Sequence, residues 1–191
     1  MKLTTMTQVT VDGVVQGNGA ASDEDRANGF ERGGWAGGAG DDQTRALITR
    51  AYQRADAFLF GRRTYELFAG SWGATQDMRA HPIGVALNKT PKYVASATLS
   101  EPRWAGTTVL SGDLAAAIGR LKARPGGELE VHGSGTLIRW LLGNDLVDEI
   151  TLLIVPVVLG QGTRLFPAAG PDMALDLIES RAGSKGVTIQ V

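Results

Sequence analysis

The chain of 191 residues contains no cysteine, which excludes a disulfide framework, a thiolate nucleophile and any Cys-ligated metal site. A reducing, cytoplasmic setting fits that absence. Histidine is nearly as scarce. His81 and His132 stand far apart in sequence with no cysteine to complete a ligand set, so each reads as a surface or packed side chain and no metal site is expected. An excess of one charge is also missing: 19 basic and 20 acidic residues give a formal net charge of −1. Nucleic acid is therefore not an expected partner. No stretch approaches the ~20 apolar residues needed to cross a bilayer. The opening MKLTTMTQVTVDG has no long apolar run and no small-residue cleavage site, so neither a membrane span nor a signal peptide is expected.

Three signature motifs are absent too. Gly13, Gly17 and Gly19 have the wrong spacing for G-x-G-x-x-G and no helix follows them directly, which disfavours a doubly wound dehydrogenase. No Gly-Lys-Ser/Thr occurs, so the phosphate loop of nucleotide triphosphatases is excluded. No G-x-S-x-G elbow is present, and Ser134 has no evident His and Asp partners, which argues against serine hydrolysis.

What remains has the balance of a globular protein, with 43% hydrophobic and 20% charged residues. The length suits one domain with a substantial core. Leu3 to Val11 alternates as a strand and stops at the turn pair Asp12-Gly13. From Gly17 to Gly40 the chain is rich in glycine, with Trp35 set among them. A loop of that length inside a compact domain is usually a lid or a binding loop. Asp41-Asp42 then opens a helix to about Arg54, with carboxylates at the positive end of its dipole. After it, strands at Ala57–Phe60, Lys92–Ala95, Thr107–Leu110 and Glu128–Val131 alternate with helical stretches after Gly61, at Leu114–Ala123 and at Thr136–Leu142. Glu149 to Leu159 reads as a long strand interrupted by Pro156, and Ala174–Glu179 with Val187–Val191 as a closing antiparallel pair. This order predicts an α/β fold: a mixed, mostly parallel central sheet with an antiparallel C-terminal edge and helices on both faces.

Two strand-to-helix junctions bear glycine, at Gly61-Arg62-Arg63-Thr64 and at Gly133-Ser134-Gly135-Thr136. Glycine lets a backbone approach a ligand, helix N-termini present free N–H groups, and arginine gives charge-assisted bonds to phosphate. Each junction taken singly reads equally well as an ordinary capped helix or tight strand–helix packing. Two of them in one sheet favour a dinucleotide.

The segments G-R-x-T-Y-E, P-K-Y-V-A-S, H-G-S-G-T-L and D-E-I-T-L-L-I-V-P-V-V-L-G-Q-G-T-R-L-F, following strand-Asp-Gly and a Gly- and Trp-bearing loop, resemble the dihydrofolate-reductase-like superfamily. The resemblance is to small stand-alone proteins similar to the C-terminal reductase domain of the bifunctional riboflavin-biosynthesis deaminase-reductase. It covers nearly the whole chain. It implies a three-layer dihydrofolate-reductase-like fold and an NADPH-dependent reductase acting on a pterin-like or pyrimidine-like heterocycle. By that resemblance Gly61, Arg62 and Thr64 contact the cofactor phosphates, and Ser96 with Thr98 lies near the adenosine 2′-phosphate. Gly133, Ser134, Gly135, Thr136 and Leu137 line the pyrophosphate and nicotinamide side. Trp35 resembles the tryptophan of the mobile loop, and Asp41 or Asp42 falls near the acid that orients the heterocycle. Helix capping explains one of those two aspartates equally well, and Trp35 reads also as a plug under its loop. A homodimer is expected from the resemblance and from the apolar run Ile150 to Leu159, which burial inside one sheet also explains. Trp35-Ala36-Gly37 stands where riboflavin-pathway reductases carry Trp-Ile-Thr, so the resemblance carries the fold further than the pathway. Reduction of another small carbonyl or imine compound, or nucleotide binding without turnover, are the competing readings.

Overall fold

Short apolar runs separated by glycine turns and amphipathic stretches fold into strands that feed helices. The computed structural model describes residues 1–166, 168, 170 and 172–191. Its strands are β1 (Lys2–Thr10), β2 (Ala55–Gly61), β3 (Lys92–Ala95), β4 (Thr107–Leu110), β5 (Glu128–His132), β6 (Glu149–Val155), β7 (Ser180–Ala182) and β8 (Thr188–Gln190). The helices are α1 (Asp23–Ala27), α2 (Asp42–Arg54), α3 (Arg62–Ser71), α4 (Gln76–Ala80), α5 (Pro82–Lys89), α6 (Leu114–Lys122) and α7 (Gly135–Gly143). The strand order is β4-β3-β2-β5-β1-β6-β8-β7. β2 runs parallel to β3 and β5, and β3 to β4, while β8 is antiparallel to β6 and β7. The result is the mixed α/β fold with an antiparallel C-terminal edge that the sequence implies. Among the described residues no helix is long and apolar enough to cross a membrane.

Two compact units can be distinguished, Met1–Thr5 with Leu47–Glu149 and Met6–Ala46 with Ile150–Val191. In the first, Phe58, Phe60, Leu129, Val131, Ile138 and Leu141 are fully covered. Parallel strands are covered on both faces, which is why Ala57 to Phe60 is a continuous hydrophobic run; in β5 Leu129 and Val131 flank the carboxyl of Glu130. Rings add to this core: Phe58 stacks on Phe60 at 5.9 Å, and Phe60 meets Phe68 at 5.5 Å. Lys92 is wholly buried, yet its Nζ donates to the Leu87 and Thr90 carbonyls at 2.7 and 2.9 Å and lies 4.8 Å over the Trp104 ring. A cation there satisfies the carbonyl end of α5, while burial pulls its pKa down to about 8.

Glu130 is also buried, 2% exposed. Thr4 Oγ1 donates to its Oε2 at 2.5 Å and its Oε1 has no partner. Desolvation, against the Thr4 bond, raises its pKa to about 8. At neutral pH the group is mostly an uncharged acid.

In the second unit the glycine-rich loop is packed. Phe30 is 4% exposed, and a Cβ at Gly17 or Gly162 would fall 2.6 or 2.7 Å from its ring, both glycines having positive φ. Asp41 closes the N-terminus of α2. Its Oδ1 accepts from Thr44 N and Oγ1, each at 2.8 Å, and its Oδ2 from Ser184 N and Oγ at 2.5 and 2.8 Å. Those bonds, the Thr44 N–H first, hold its pKa well below the usual carboxylate range. Gly183 has no side chain because a Cβ would lie 2.8 Å from Asp41 Oδ2.

Several elements differ from the sequence reading. The glycine loop contains α1, nucleated by a capping box in which Ser22 accepts from Asp25 N and Asp25 from Ser22 N. The stretch after Trp72, for which the sequence reading offers no element, holds α4 and α5, the latter started by Pro82 at its first position. β6 stops at Val155, before Pro156, because proline has no N–H for the ladder. The closing pair exists, but β7 begins at Ser180. The turn from Gly183 to Gly186 pairs Ala182 with Thr188 and Ser180 with Gln190, leaving Ala174 to Leu177 past the paired stretch.

Two outcomes are expected. Glu130 binds a proton more tightly in the folded chain, so its contribution is fully present below about pH 4.5 and is lost as pH rises through about 8. Glu130→Gln removes that loss: urea unfolding should show a gain of a few kcal/mol at pH 8 and little at pH 5, at about 1.36 kcal/mol per pKa unit. Equal effects at both pH values would contradict this. Asp41 has the opposite sign, stabilising above about pH 3.9 and less as acid protonates it. Asp41→Asn should lower the Tm at pH 7 and converge on the parent as pH falls below 3 in scanning calorimetry.

Candidate functional site

Because β2, β3 and β5 are parallel, their carboxyl ends lie at one edge. Gly61 is level with Ala95, and Phe58 with Glu130 brings Gly61 beside the end of β5. At that edge β2 turns into α3 and β5 into α7. Neither helix has a side-chain cap: Gly61 supplies none and Ser134 makes none to its own helix. The first-turn N–H groups of both helices thus keep the positive ends of their dipoles uncovered.

The two junctions are hydrogen-bonded to each other. Gly61 N donates to Ser134 Oγ at 3.0 Å, and Ser134 Oγ donates to Thr64 Oγ1 at 2.6 Å. The approach is close: a Cβ on Gly61 would stand 3.0 Å from Ser134 Oγ and 3.8 Å from Leu137 Cβ, so a larger residue would push the Ser134 hydroxyl back by a few tenths of an ångström. Gly133 and Ser134 both have positive φ, +66° and +57°. In glycine that is free, but in serine it costs of order 1 kcal/mol.

The end of β3 joins the same edge. Ser96 Oγ accepts from Thr98 N and Leu99 N at 3.2 and 3.0 Å, a hydroxyl-closed turn that presents the Thr98 hydroxyl to Arg62. Arg62 Nη1 donates to Thr98 Oγ1 at 2.6 Å and Nε to Glu66 at 2.7 Å. Thr136 Oγ1 accepts from Arg139 at 3.3 Å, and Leu137 is buried behind Gly61. The structure thus brings Gly61, Arg62, Thr64, Ser96, Thr98, Gly133, Ser134, Gly135, Thr136 and Leu137 to one edge of the first unit. Such an edge can bind anions through backbone amides, two hydroxyls and a guanidinium.

The sequence reading overlooks Glu66, which orients Arg62; its i, i+4 spacing is a legible signal. His132, the last residue of β5, packs its ring against Tyr52 at 5.1 Å and Phe68 at 5.9 Å. Burial lowers its pKa to about 4, so it is neutral at physiological pH. His81 accepts from Ile83 N at the start of α5 and meets Trp72 at 5.5 Å. Among the described residues no cluster of His, Asp and Glu could hold a metal.

Trp35, Asp41 and Asp42 belong to the second unit. The Trp35 indole donates to the Gln16 carbonyl at 2.7 Å. Asp42 pairs with Arg45 at 2.5 Å and is otherwise exposed. Of the two aspartates Asp41 is the helix cap. Asp12, in the turn after β1, accepts from Thr10 Oγ1 at 2.6 Å and Gly160 N at 2.9 Å; these bonds, the Thr10 one first, lower its pKa to about 2.

Comparison with known proteins bears on the fold and the family. The chain is 28% identical over 145 residues to the uncharacterised protein YyaP of Bacillus subtilis, covering 73% of this chain and 74% of that one. A putative riboflavin biosynthesis protein from Shewanella sp. PV-4 superposes with a TM-score of 0.73 at 20% identity, over 100% of this chain and 97% of the other. Dihydrofolate reductase from Enterococcus faecalis, complexed with NADP(H) and RAB-propyl, superposes with a TM-score of 0.60 at 10% identity, over 99% and 93%. At these identities the two structures show the shared dihydrofolate-reductase-like fold. The family model of the RibD C-terminal domain matches residues 1–189, and the chain belongs to that family, whose type is the reductase of riboflavin biosynthesis.

Proposed function

We propose that the protein is an NADPH-dependent reductase, that its first unit holds the dinucleotide, and that its substrate is a flat pterin-like or pyrimidine-like heterocycle. The family form of that activity is the reduction of 5-amino-6-(5-phosphoribosylamino)uracil. The observation that carries the reading is the direct bond from Ser134 to Thr64, which makes one anion-binding edge of two uncapped helix N-termini. A pyrophosphate fits that donor set: backbone N–H groups of α3 and α7 for its oxygens, and a hydroxyl from Thr64. Arg62 commits one N–H to Glu66 and one to Thr98, and a guanidinium has five. Its remaining donors, with Thr98 and Ser96 beside them, suit the additional phosphate on the adenosine ribose of NADPH.

When bound, NADPH supplies a hydride from C4 of its nicotinamide. The chain's task is to fix the phosphates and to orient the ring that accepts the hydride. Asp41 has all its oxygens engaged and is ionised, so it has no proton to offer at neutral pH. Of the pair, Asp42 is the one with a carboxylate oxygen left to accept from a heterocycle N–H, with Trp35 on the same unit's glycine loop. A homodimer is part of the same reading. Its support is the exposed apolar segment Met173, Leu175, Leu177 and Ile178 leading into the edge strand β7, a combination that isolated proteins usually cover.

Arg62→Ala should weaken NADPH binding tenfold or more, at about 1.5–3 kcal/mol for bonds to a charged group, and should leave NADH nearly unaffected. Fluorescence titration with both cofactors checks this, and an equal loss for both would refute the 2′-phosphate assignment. For the dimer, light scattering of the parent should give twice the chain mass and Leu177→Lys/Ile178→Glu the single mass. A monomeric parent ends that part of the reading.

A further inference from the structure

We infer that Ser134 is not a cofactor ligand but a positioning residue, a hydroxyl clamp that sets the distance between the two helix N-termini and aims the Thr64 hydroxyl outward at a phosphate oxygen. The inference rests on the proposed dinucleotide site and assigns roles within it.

A serine hydroxyl has one proton and accepts at its oxygen. Ser134 Oγ accepts from Gly61 N and gives its proton to Thr64 Oγ1, so nothing is left to donate to a ligand. Thr64 Oγ1 already accepts from Ser134, and its own proton remains to be placed. Thr64 is the third residue of α3, in the turn whose N–H groups face out of the helix end. An anion there accepts from Thr64, and the chain Gly61 N–H to Ser134 to Thr64 to anion is aligned in one sense. Hydrogen bonds in such a chain polarise one another, strengthening the last one.

Backbone strain points the same way. Ser134 holds φ +57° at a position where glycine would be unstrained, directly after Gly133 at +66°. A residue whose only task was to turn the chain would be glycine there. Serine is kept in the costly conformation for its hydroxyl, the inference running from observed outlier to role.

The test uses the purified full chain and NADPH, with affinity by fluorescence and Tm by calorimetry on the same variants. Thr64→Val, which keeps the shape and removes the outward donor, should bind NADPH about 10–100-fold more weakly, and Thr64→Ser should bind within about threefold of the parent. Ser134→Ala should weaken binding about fivefold and lower the Tm. Ser134→Gly, relieved of strain, should melt above Ser134→Ala and yet bind NADPH no better. That separation of melting from affinity is what a merely structural hydroxyl would not give. If Ser134→Gly recovers parental affinity, or Ser134→Ala binds as the parent does, the clamp is overturned while the dinucleotide site stands. If the parent itself does not bind NADPH, the clamp and the proposed function fall together.

Discussion

The hydroxyl of Ser134, at the turn from β5 into α7, reaches the neighbouring turn from β2 into α3, accepting from Gly61 and donating to Thr64. Each neighbouring feature follows from that contact. Glycine at position 61 suits the contact because a Cβ there would crowd the Ser134 hydroxyl. Ser134 must adopt a left-handed backbone to reach across, and Gly133 before it makes the turn sharp. Because Ser134 bonds sideways, it leaves α7 uncapped, and Gly61 leaves α3 uncapped. Two helix ends with unsatisfied N–H groups side by side are unfavourable unless water or an anion meets them. The same bond that joins the two turns thus leaves their N–H groups open to water or an anion.

The surrounding packing makes that arrangement stiff. Phe58 and Phe60 on β2, Val131 on β5 and Ile138 on α7 are fully buried, so the strands that carry the two junctions cannot slide without opening a well-packed core. Polar groups within it are arranged at some cost. Glu130 lies in β5 two residues before His132, and both are driven toward their neutral forms by burial. Neutral Glu130 and His132 add no charge of either sign to the anion-binding edge. Lys92 differs in having three neighbours suited to a cation, two carbonyls at the end of α5 and the Trp104 ring.

Much of this was legible in the sequence because it is local. A continuous apolar run closed by glycine marked β2, the short stretch Glu128 to Val131 before Gly133 marked β5, and helical spacing after Gly61 and Gly135 marked α3 and α7, with the two junctions as the expected site. The short helices were less visible. The Ser22–Asp25 capping box and Pro82 at the start of α5 are readable signals, but glycine density hid the first, and α4 is too short to establish a period. What sequence could not supply were bonds between distant residues: Ser134 to Thr64 across 70 positions and Ser184 to Asp41 across 143. The second bond decides which of two adjacent aspartates is structural, a choice that local pattern leaves open.

Arg62 shows how one side chain is given a role by its neighbours. Its pair with Glu66 is half-exposed on both sides, and such pairs contribute little to stability. The bond to Thr98, across 36 positions, comes from a different strand end, in a turn that Ser96 closes. A long flexible arginine held from two directions loses less freedom when it grips a phosphate than one free in solvent. The weak ion pair therefore acts through orientation, presenting an already ordered guanidinium to whatever anion the helix ends attract.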